Sequence, residues 1–233
     1  MKHTLLVKDW LSSFLSLLFP RCCVVCGRPL AKGEECICTV CNIKLPRTNY
    51  HLRKDNPVER LFWGQIPLER ATSFFFYEKG SDFRLILHRL KYGGQKEIGA
   101  IMGRYMAAEL LSSHFFQGID VIIPIPLHKK KQQIRGYNQS EWIARGITAV
   151  TGIPIDTESI LRKKNTETHK SILERRDNVE GIFELQRPEA LVGKHILIVD
   201  DVLTTGSTTL ACASCLVKVE GIRISILTLA TVE

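Results

Sequence analysis

Several familiar ligand loops are missing from this chain of 233 residues. No Gly-Lys-Ser/Thr follows an apolar strand, which excludes a Walker loop, and no trio of spaced glycines opens a helix, which excludes the dinucleotide fingerprint. The seven histidines are scattered without ligand spacing, so a histidine-based metal centre is not expected. No apolar run reaches bilayer length. The longest uncharged stretch near the start, Trp10 to Phe19, is far shorter than the ~20 residues a spanning helix needs. The first nineteen residues are not expected to form a cleavable leader, because Lys8 and Asp9 interrupt the apolar segment and no small-residue cleavage site follows. Leu6, Trp10, Phe14, Leu17 and Leu18 recur at helical spacing instead, predicting an amphipathic helix that packs on the rest of the chain or meets a membrane surface or partner. The expectation is a cytoplasmic protein without a transmembrane segment.

What is present is an ordinary globular composition, 45% hydrophobic and 24% charged, with a formal net charge of +8. The positive charge is unevenly placed. Between His128 and Arg176 eleven Lys or Arg face five Asp or Glu, a surplus of six that could serve a pyrophosphate or a nucleic acid. Charge alone does not separate the two. Aromatic residues are not interleaved with this basic cluster, as a stacking platform for single strands requires.

Six of the eight cysteines lie between Cys22 and Cys41. Cys23-x-x-Cys26 and Cys38-x-x-Cys41 form two knuckles eleven residues apart, a spacing that supplies four thiolates to a tetrahedral Zn²⁺. A segment this short has little core of its own, so a structural zinc is expected to staple it. A disulfide framework is the alternative, and the lack of an export signal counts against it. Cys22 and Cys36 are left over. Cys212 and Cys215 sit in an Ala- and Leu-rich stretch and read as core residues.

The richest run is Ile196-Leu-Ile-Val-Asp-Asp-Val-Leu-Thr-Thr-Gly-Ser-Thr208. Four apolar residues, three of them β-branched, predict a buried parallel strand. Asp200 and Asp201 emerge at its carboxyl end, followed by Thr204, Thr205, Gly206, Ser207 and Thr208 and then a helix. Small hydroxyl-bearing residues at a helix N-terminus can cradle a phosphate, and adjacent carboxylates can accept from sugar hydroxyls. Ribose 5-phosphate has both groups. A second segment, Pro124-Ile-Pro-Leu-His-Lys-Lys-Lys-Gln-Gln-Ile-Arg-Gly-Tyr-Asn-Gln139, leaves another predicted strand and places Lys129, Lys130, Lys131 and Arg135 near any bound polyphosphate, with Asn138 and Gln139 as donors to its oxygens. Elsewhere, strands at 71–77, 121–125 and 224–230 alternate with helices at 97–112 and 140–150. That alternation predicts a parallel α/β sheet with the site at the strands' carboxyl ends.

The acidic pair with its Thr-rich loop resembles the signature of the type I phosphoribosyltransferases. The chain as a whole resembles the ComF family, the competence-associated branch of that superfamily. The features that carry the likeness run in order as Leu18-Phe19-Pro20, the four knuckle cysteines, Leu90-Lys91-Tyr92, Pro124-Ile-Pro-Leu127, Arg135-Gly-Tyr-Asn-Gln139 and the signature. The resemblance implies an α/β fold of the type I phosphoribosyltransferase kind with a small N-terminal zinc knuckle. Its parts would be residues 1–45 as helix and knuckle, 46–70 as linker and 71–233 as the phosphoribosyltransferase-like domain.

It further implies binding of 5-phosphoribosyl 1-pyrophosphate (PRPP) with Mg²⁺, and transfer of the phosphoribosyl group to a nitrogen acceptor with pyrophosphate release. In those terms Asp200 and Asp201 take the ribose, and Thr204, Thr205, Gly206, Ser207 and Thr208 take the 5′-phosphate. Lys129, Lys130 and Arg135 assist departure of pyrophosphate, and Lys163 or Lys170 closes over the site. His169 stands where the family pattern has Gln, which singles out the segment around it. Two alternatives stay open, a nucleic-acid-associated accessory protein working with DNA-uptake partners and a PRPP sensor with little turnover. A homodimer is a further expected assembly.

Overall fold

The computed structural model describes residues 20–163 and 181–232. The predicted N-terminal helix, and Lys170 and His169 with it, lie outside the described residues.

Four strands form the main sheet: β1 (Leu68–Phe76), β2 (Val121–Pro124), β5 (His195–Leu203) and β6 (Arg223–Thr231). Their order is β1-β6-β5-β2 and every pairing is parallel, with Ile122 opposite Leu197 and Ile198 opposite Ile226. The two central strands are covered on both faces, which is why their apolar residues run without interruption. Alternation still decides which layer each side chain enters. Leu197 and Val199 join one core with Met102, Met106 and Ile143, whereas Ile196 and Ile198 join the other with Phe62, Leu191 and Cys212. Two hydrogen-bonded groups of polar residues lie inside the sheet. His195 lies between the Gly118 carbonyl at 3.1 Å and the Ser225 hydroxyl at 2.8 Å, and Ser73 is hydrogen-bonded to Thr228.

The α-helices among the described residues are α1 (Thr39–Lys44), α2 (Pro57–Arg60), α3 (Arg84–Tyr92), α4 (Glu97–Leu111), α5 (Lys129–Arg135), α6 (Gln139–Thr151) and α7 (Ser207–Leu216). Glycines set the α4–α6 crossing. A Cβ on Gly103 would stand 2.2 Å from the Ile143 carbonyl oxygen, and one on Gly146 would stand 2.1 Å from that of Ala100. The helices therefore touch backbone to backbone, and this brings the start of α6 against the end of β5. A two-stranded antiparallel pair, β3 (Ile160–Arg162) and β4 (Phe183–Leu185), lies apart from the main sheet and adds Ile160 and Phe183 to the second core.

The segment before β1 is structured. Asn56 caps α2 in a capping box with Glu59 and also donates to the Ala71 carbonyl at 2.9 Å. Val58 and Phe62 are buried. The strand itself begins at Leu68, three residues before the predicted start. The knuckle shares the first core with the sheet, since Cys23, Ile37 and Cys41 belong to the same cluster as Phe74 and Phe75. Arg104 on α4 holds Glu35 of the knuckle with two contacts of 2.5 and 2.6 Å.

Candidate functional site

β5 delivers two carboxylates to its carboxyl end, and different neighbours hold them. Asp200 Oδ1 accepts from the Ser140 hydroxyl at 3.0 Å and from the Asp201 backbone N–H at 2.9 Å. Burial, with the Asp201 charge beside it, pushes the Asp200 carboxyl up to about 7. Asp201 Oδ2 pairs with Lys91 Nζ at 3.1 Å, with only 13% of the aspartate side chain exposed. Lys91 comes from the last turn of α3, a hundred residues earlier in the chain.

The loop after β5 turns at Gly206, whose φ of +74° is the left-handed region that glycine occupies without a Cβ penalty. Gly206 is also the N-cap of α7, and no side chain caps that helix, so its first-turn N–H groups are available to an anion. Thr204 and Thr205 are exposed, and Thr205 Oγ1 is 2.8 Å from Ser207 Oγ. The floor of the loop is Phe62. A Cβ on Gly206 would lie 3.4 Å from its ring.

The segment leaving β2 forms α5, which starts after His128 and ends at Gly136 with φ +79°. Lys129 and Lys130 are exposed on this helix, whereas Lys131 is half-buried. Burial lowers the pKa of Lys131, and so do the nearby charges of Arg162, Arg135 and Lys91. Lys91 of α3, Arg135 at the end of α5 and Arg162 of β3 thus lie within electrostatic reach of Lys131. Arg162 also feels Asp200, and its guanidinium lies 5.5 Å from the centre of the Phe183 ring. Lys163, the next residue, is engaged with Glu184 at 2.7 Å across the β3–β4 pair.

The residues after α5 mainly hold the site's frame together. Arg135 lies 5.5 Å over the Tyr92 ring and donates to Gln139 Oε1 at 2.7 Å. Tyr137 donates its hydroxyl to the Leu90 carbonyl at 2.5 Å. Asn138 donates to the Ile125 carbonyl at 3.0 Å and accepts from the Ser140 N–H at 3.1 Å, so its amide ties the β2 exit to the start of α6. Gln139 is buried, and its Nε2 has no hydrogen-bond partner among the described residues. Sequence reasoning placed Asn138 among the donors to ligand oxygens, and the structure engages that amide with the chain itself. It also passed over Ser140 and Arg162 as site residues. Lys91 carried a signal, since it lies in the Leu90-Lys91-Tyr92 motif, yet nothing local says that it faces Asp201.

The cysteine cluster is a second, separate constellation. The Sγ atoms of Cys23, Cys26, Cys38 and Cys41 all lie within 4.8 Å of one another, and Cys26 and Cys38 are 3.8 Å apart. Tetrahedral zinc with Zn–S bonds of about 2.3 Å needs sulfur separations near 3.8 Å, so the four residues fit the ion. Backbone N–H groups point at the sulfurs, from Cys38 to Cys23 Sγ at 3.3 Å and from Cys41 to Cys38 Sγ at 3.4 Å. Although burial opposes it, the Cys41 N–H and the Arg28 guanidinium bring the Cys38 thiol down to about 6, the direction a metal-binding thiolate requires. Cys36 stands outside the group, and burial pushes it up to about 12. Cys22 is exposed. Among the described residues, no helix is long and apolar enough to cross a membrane.

No family model matches the chain. It is 32% identical over 219 residues to the DNA utilization protein YhgH of Escherichia coli O157:H7, covering 87% of this chain and 93% of that protein. It is 27% identical over 214 residues to competence protein ComFC of Bacillus subtilis, covering 90% and 83%. Competence protein F of Haemophilus influenzae matches at 31% over 130 residues, 53% of this chain and 57% of the other. Among solved structures, a hypoxanthine phosphoribosyltransferase from Staphylococcus aureus superposes with a TM-score of 0.39 at 17% identity, covering 66% of this chain and 73% of that one. An adenine phosphoribosyltransferase from Leishmania tarentolae gives 0.37 at 11%, covering 80% and 94%. Agreement at that level says nothing about activity.

Proposed function

The chain belongs to the ComF family, with the DNA utilization and competence proteins it matches, and from the site that it builds we propose that it binds PRPP with Mg²⁺. The phosphoribosyl group would pass to a nitrogen acceptor and pyrophosphate would leave. One observation carries this reading. The Asp200–Asp201 pair leads into the uncapped start of α7, Lys91 pairs with Asp201, Arg162 lies within electrostatic reach of Asp200, and Lys131, itself near Arg135, adds charge beside these two cations. A ribose carrying a phosphate at one end and a pyrophosphate at the other matches that division of charge.

Each residue then has a task that its surroundings allow. Asp201 accepts from a ribose hydroxyl, and Asp200, held by Ser140, accepts from its neighbour. The N–H groups of residues 205 to 208 hold the 5′-phosphate, and Thr204, Thr205, Ser207 and Thr208 add hydroxyl donors. Arg135, Lys131 and Arg162 neutralise charge gathering on the departing pyrophosphate, with Lys129 and Lys170 as further cations. Magnesium, when bound with the ligand, would offset charge on the leaving oxygens while keeping most of its water. A zinc in the cysteine cluster would be structural, fixing the knuckle against β1 and α4.

A second reading, an accessory role on nucleic acid, draws on the names of the relatives and on Lys129 and Lys130, which face solvent. Calorimetric titration with PRPP and Mg²⁺ decides between them. Micromolar binding by the wild type, weakened by Asp201→Asn by roughly 1.5 to 3 kcal/mol, is the expected result for a charge-assisted acceptor. No binding of PRPP, or equal binding by Asp201→Asn, overturns the assignment.

A further inference from the structure

We propose that Lys91 keeps the acidic pair closed to free divalent cations, so that metal enters the site only together with the polyanionic ligand. This rests on the reading of Asp201 as a ligand-binding carboxylate. The Lys91 ammonium stands 3.1 Å from Asp201 Oδ2, in the position from which a hydrated cation would otherwise approach that oxygen. Its place is set on both sides. The preceding residue, Leu90, has its carbonyl held by the Tyr137 hydroxyl at 2.5 Å, and the following residue, Tyr92, lies under the Arg135 guanidinium at 5.5 Å. With both neighbours engaged, the one side chain between them is directed at Asp201.

The wider field acts in the same sense. A bare divalent ion approaching Asp201 meets Lys91, and Lys131 adds to that field with Arg135 and Arg162 within its electrostatic reach. A ligand that carries a pyrophosphate reverses this, because its negative charge attracts the same four cations and draws Lys91 off Asp201. The freed carboxylate then accepts the ribose hydroxyl, and the ammonium remains beside the phosphates. Lys91 is thus a positioning residue that sets the order of binding.

The test is Mn²⁺ binding to the full chain without PRPP, followed by electron paramagnetic resonance of the free ion. Lys91→Met should bind Mn²⁺ at least about tenfold more tightly than the wild type, as expected when one unit of positive charge is removed beside the binding oxygen. Lys91→Arg keeps that charge and should bind like the wild type. The double variant Lys91→Met, Asp201→Asn should lose the gain, which assigns it to this carboxylate and not to another surface site. Unchanged Mn²⁺ affinity in Lys91→Met, or a gain that survives Asp201→Asn, overturns the proposal. Thermal melts of each variant establish that it is folded, and Lys91→Gln serves where Lys91→Met is not. Titration of the wild type with PRPP is read separately. Its failure would remove PRPP as the ligand while leaving the Mn²⁺ result to decide the role of Lys91.

Discussion

Gly206 and Gly136 offer a matched pair of perturbations, because both hold a left-handed φ, +74° and +79°, and only one sits in the proposed phosphate loop. Replacing either with alanine forces an L-residue into that region, at a cost of roughly 1 to 2 kcal/mol each. A Cβ at Gly136 meets nothing within 4 Å, and a Cβ at Gly206 meets the edge of the Phe62 ring at 3.4 Å, an ordinary contact. Stability should therefore fall by similar amounts in both. For a domain of this size that corresponds to a fall in Tm of roughly 2 to 8 °C. Binding should separate them. If the backbone relaxes at Gly206, the N–H groups of the loop lose their common aim, and one charge-assisted hydrogen bond to phosphate is worth about 1.5 to 3 kcal/mol. Titration with ribose 5-phosphate, which lacks the leaving group that α5 would serve, should show a loss of tenfold or more for Gly206→Ala and little change for Gly136→Ala. Equal affinities in the two variants, with both melting points lowered as expected, would refute the placement of the phosphate.

Protein purified without added metal should carry one zinc per chain by elemental analysis and lose it in Cys23→Ser or Cys41→Ser; a full complement in Cys38→Ser would shift the fourth ligand, with Cys36 as the substitute. Lys131→Met and Arg135→Met should weaken PRPP much more than ribose 5-phosphate, and equal losses for the two ligands would remove the pyrophosphate assignment. If α5 instead tracks nucleic acid, Lys129→Ala with Lys130→Ala should weaken single-stranded DNA binding and flatten its salt dependence while PRPP binding survives. His195 provides a pH lever. Burial, with Arg223 and Arg70 nearby, lowers its pKa below the ordinary 6.5, so the unfolded chain takes up the proton first. The stability contributed by neutral His195 is therefore present above about pH 6.5 and lost as pH falls through the lowered value. Melting points measured from pH 7.5 to 5.5 should fall more steeply for the wild type than for His195→Gln, and parallel curves would exclude the effect.

Some of this protein is written locally, and those parts could be read without coordinates. β5, the acidic pair, the Gly206 turn and the start of α7 occupy thirteen consecutive residues, so strand pattern and loop chemistry meet in one stretch of sequence. The cysteine cluster is similar, because Cys-x-x-Cys spacing alone brings two sulfurs to one turn, and only the pairing of the two knuckles is long-range. The main helices also follow from periodicity, with α4 predicted at 97–112 and observed at Glu97–Leu111. Other parts lacked a local signal. The segment before β1 reads as irregular because few of its residues are apolar, yet Val58 and Phe62 are buried and Phe62 lies against the Gly206 turn. β3 and β4 are three residues each, too short for a pattern of period two to stand out.

The tertiary structure decided which charges belong to the site. Three successive lysines open α5, and composition treats them alike. Each helical residue turns about 100° from the last, however, and so Lys129 and Lys130 face water while Lys131 faces Lys91, Arg135 and Arg162. Lys91 reaches Asp201 only because Tyr137 and Arg135 clasp the end of α3, and Ser140 reaches Asp200 only because Gly103 and Gly146 let α4 and α6 pack backbone to backbone. The sequence by itself determined the kinds of chemistry available: carboxylates at a strand end, a phosphate-sized loop and four thiolates. Which cation meets which carboxylate depended on the direction of side chains from distant segments, and that direction exists only once the sheet and its helices have packed.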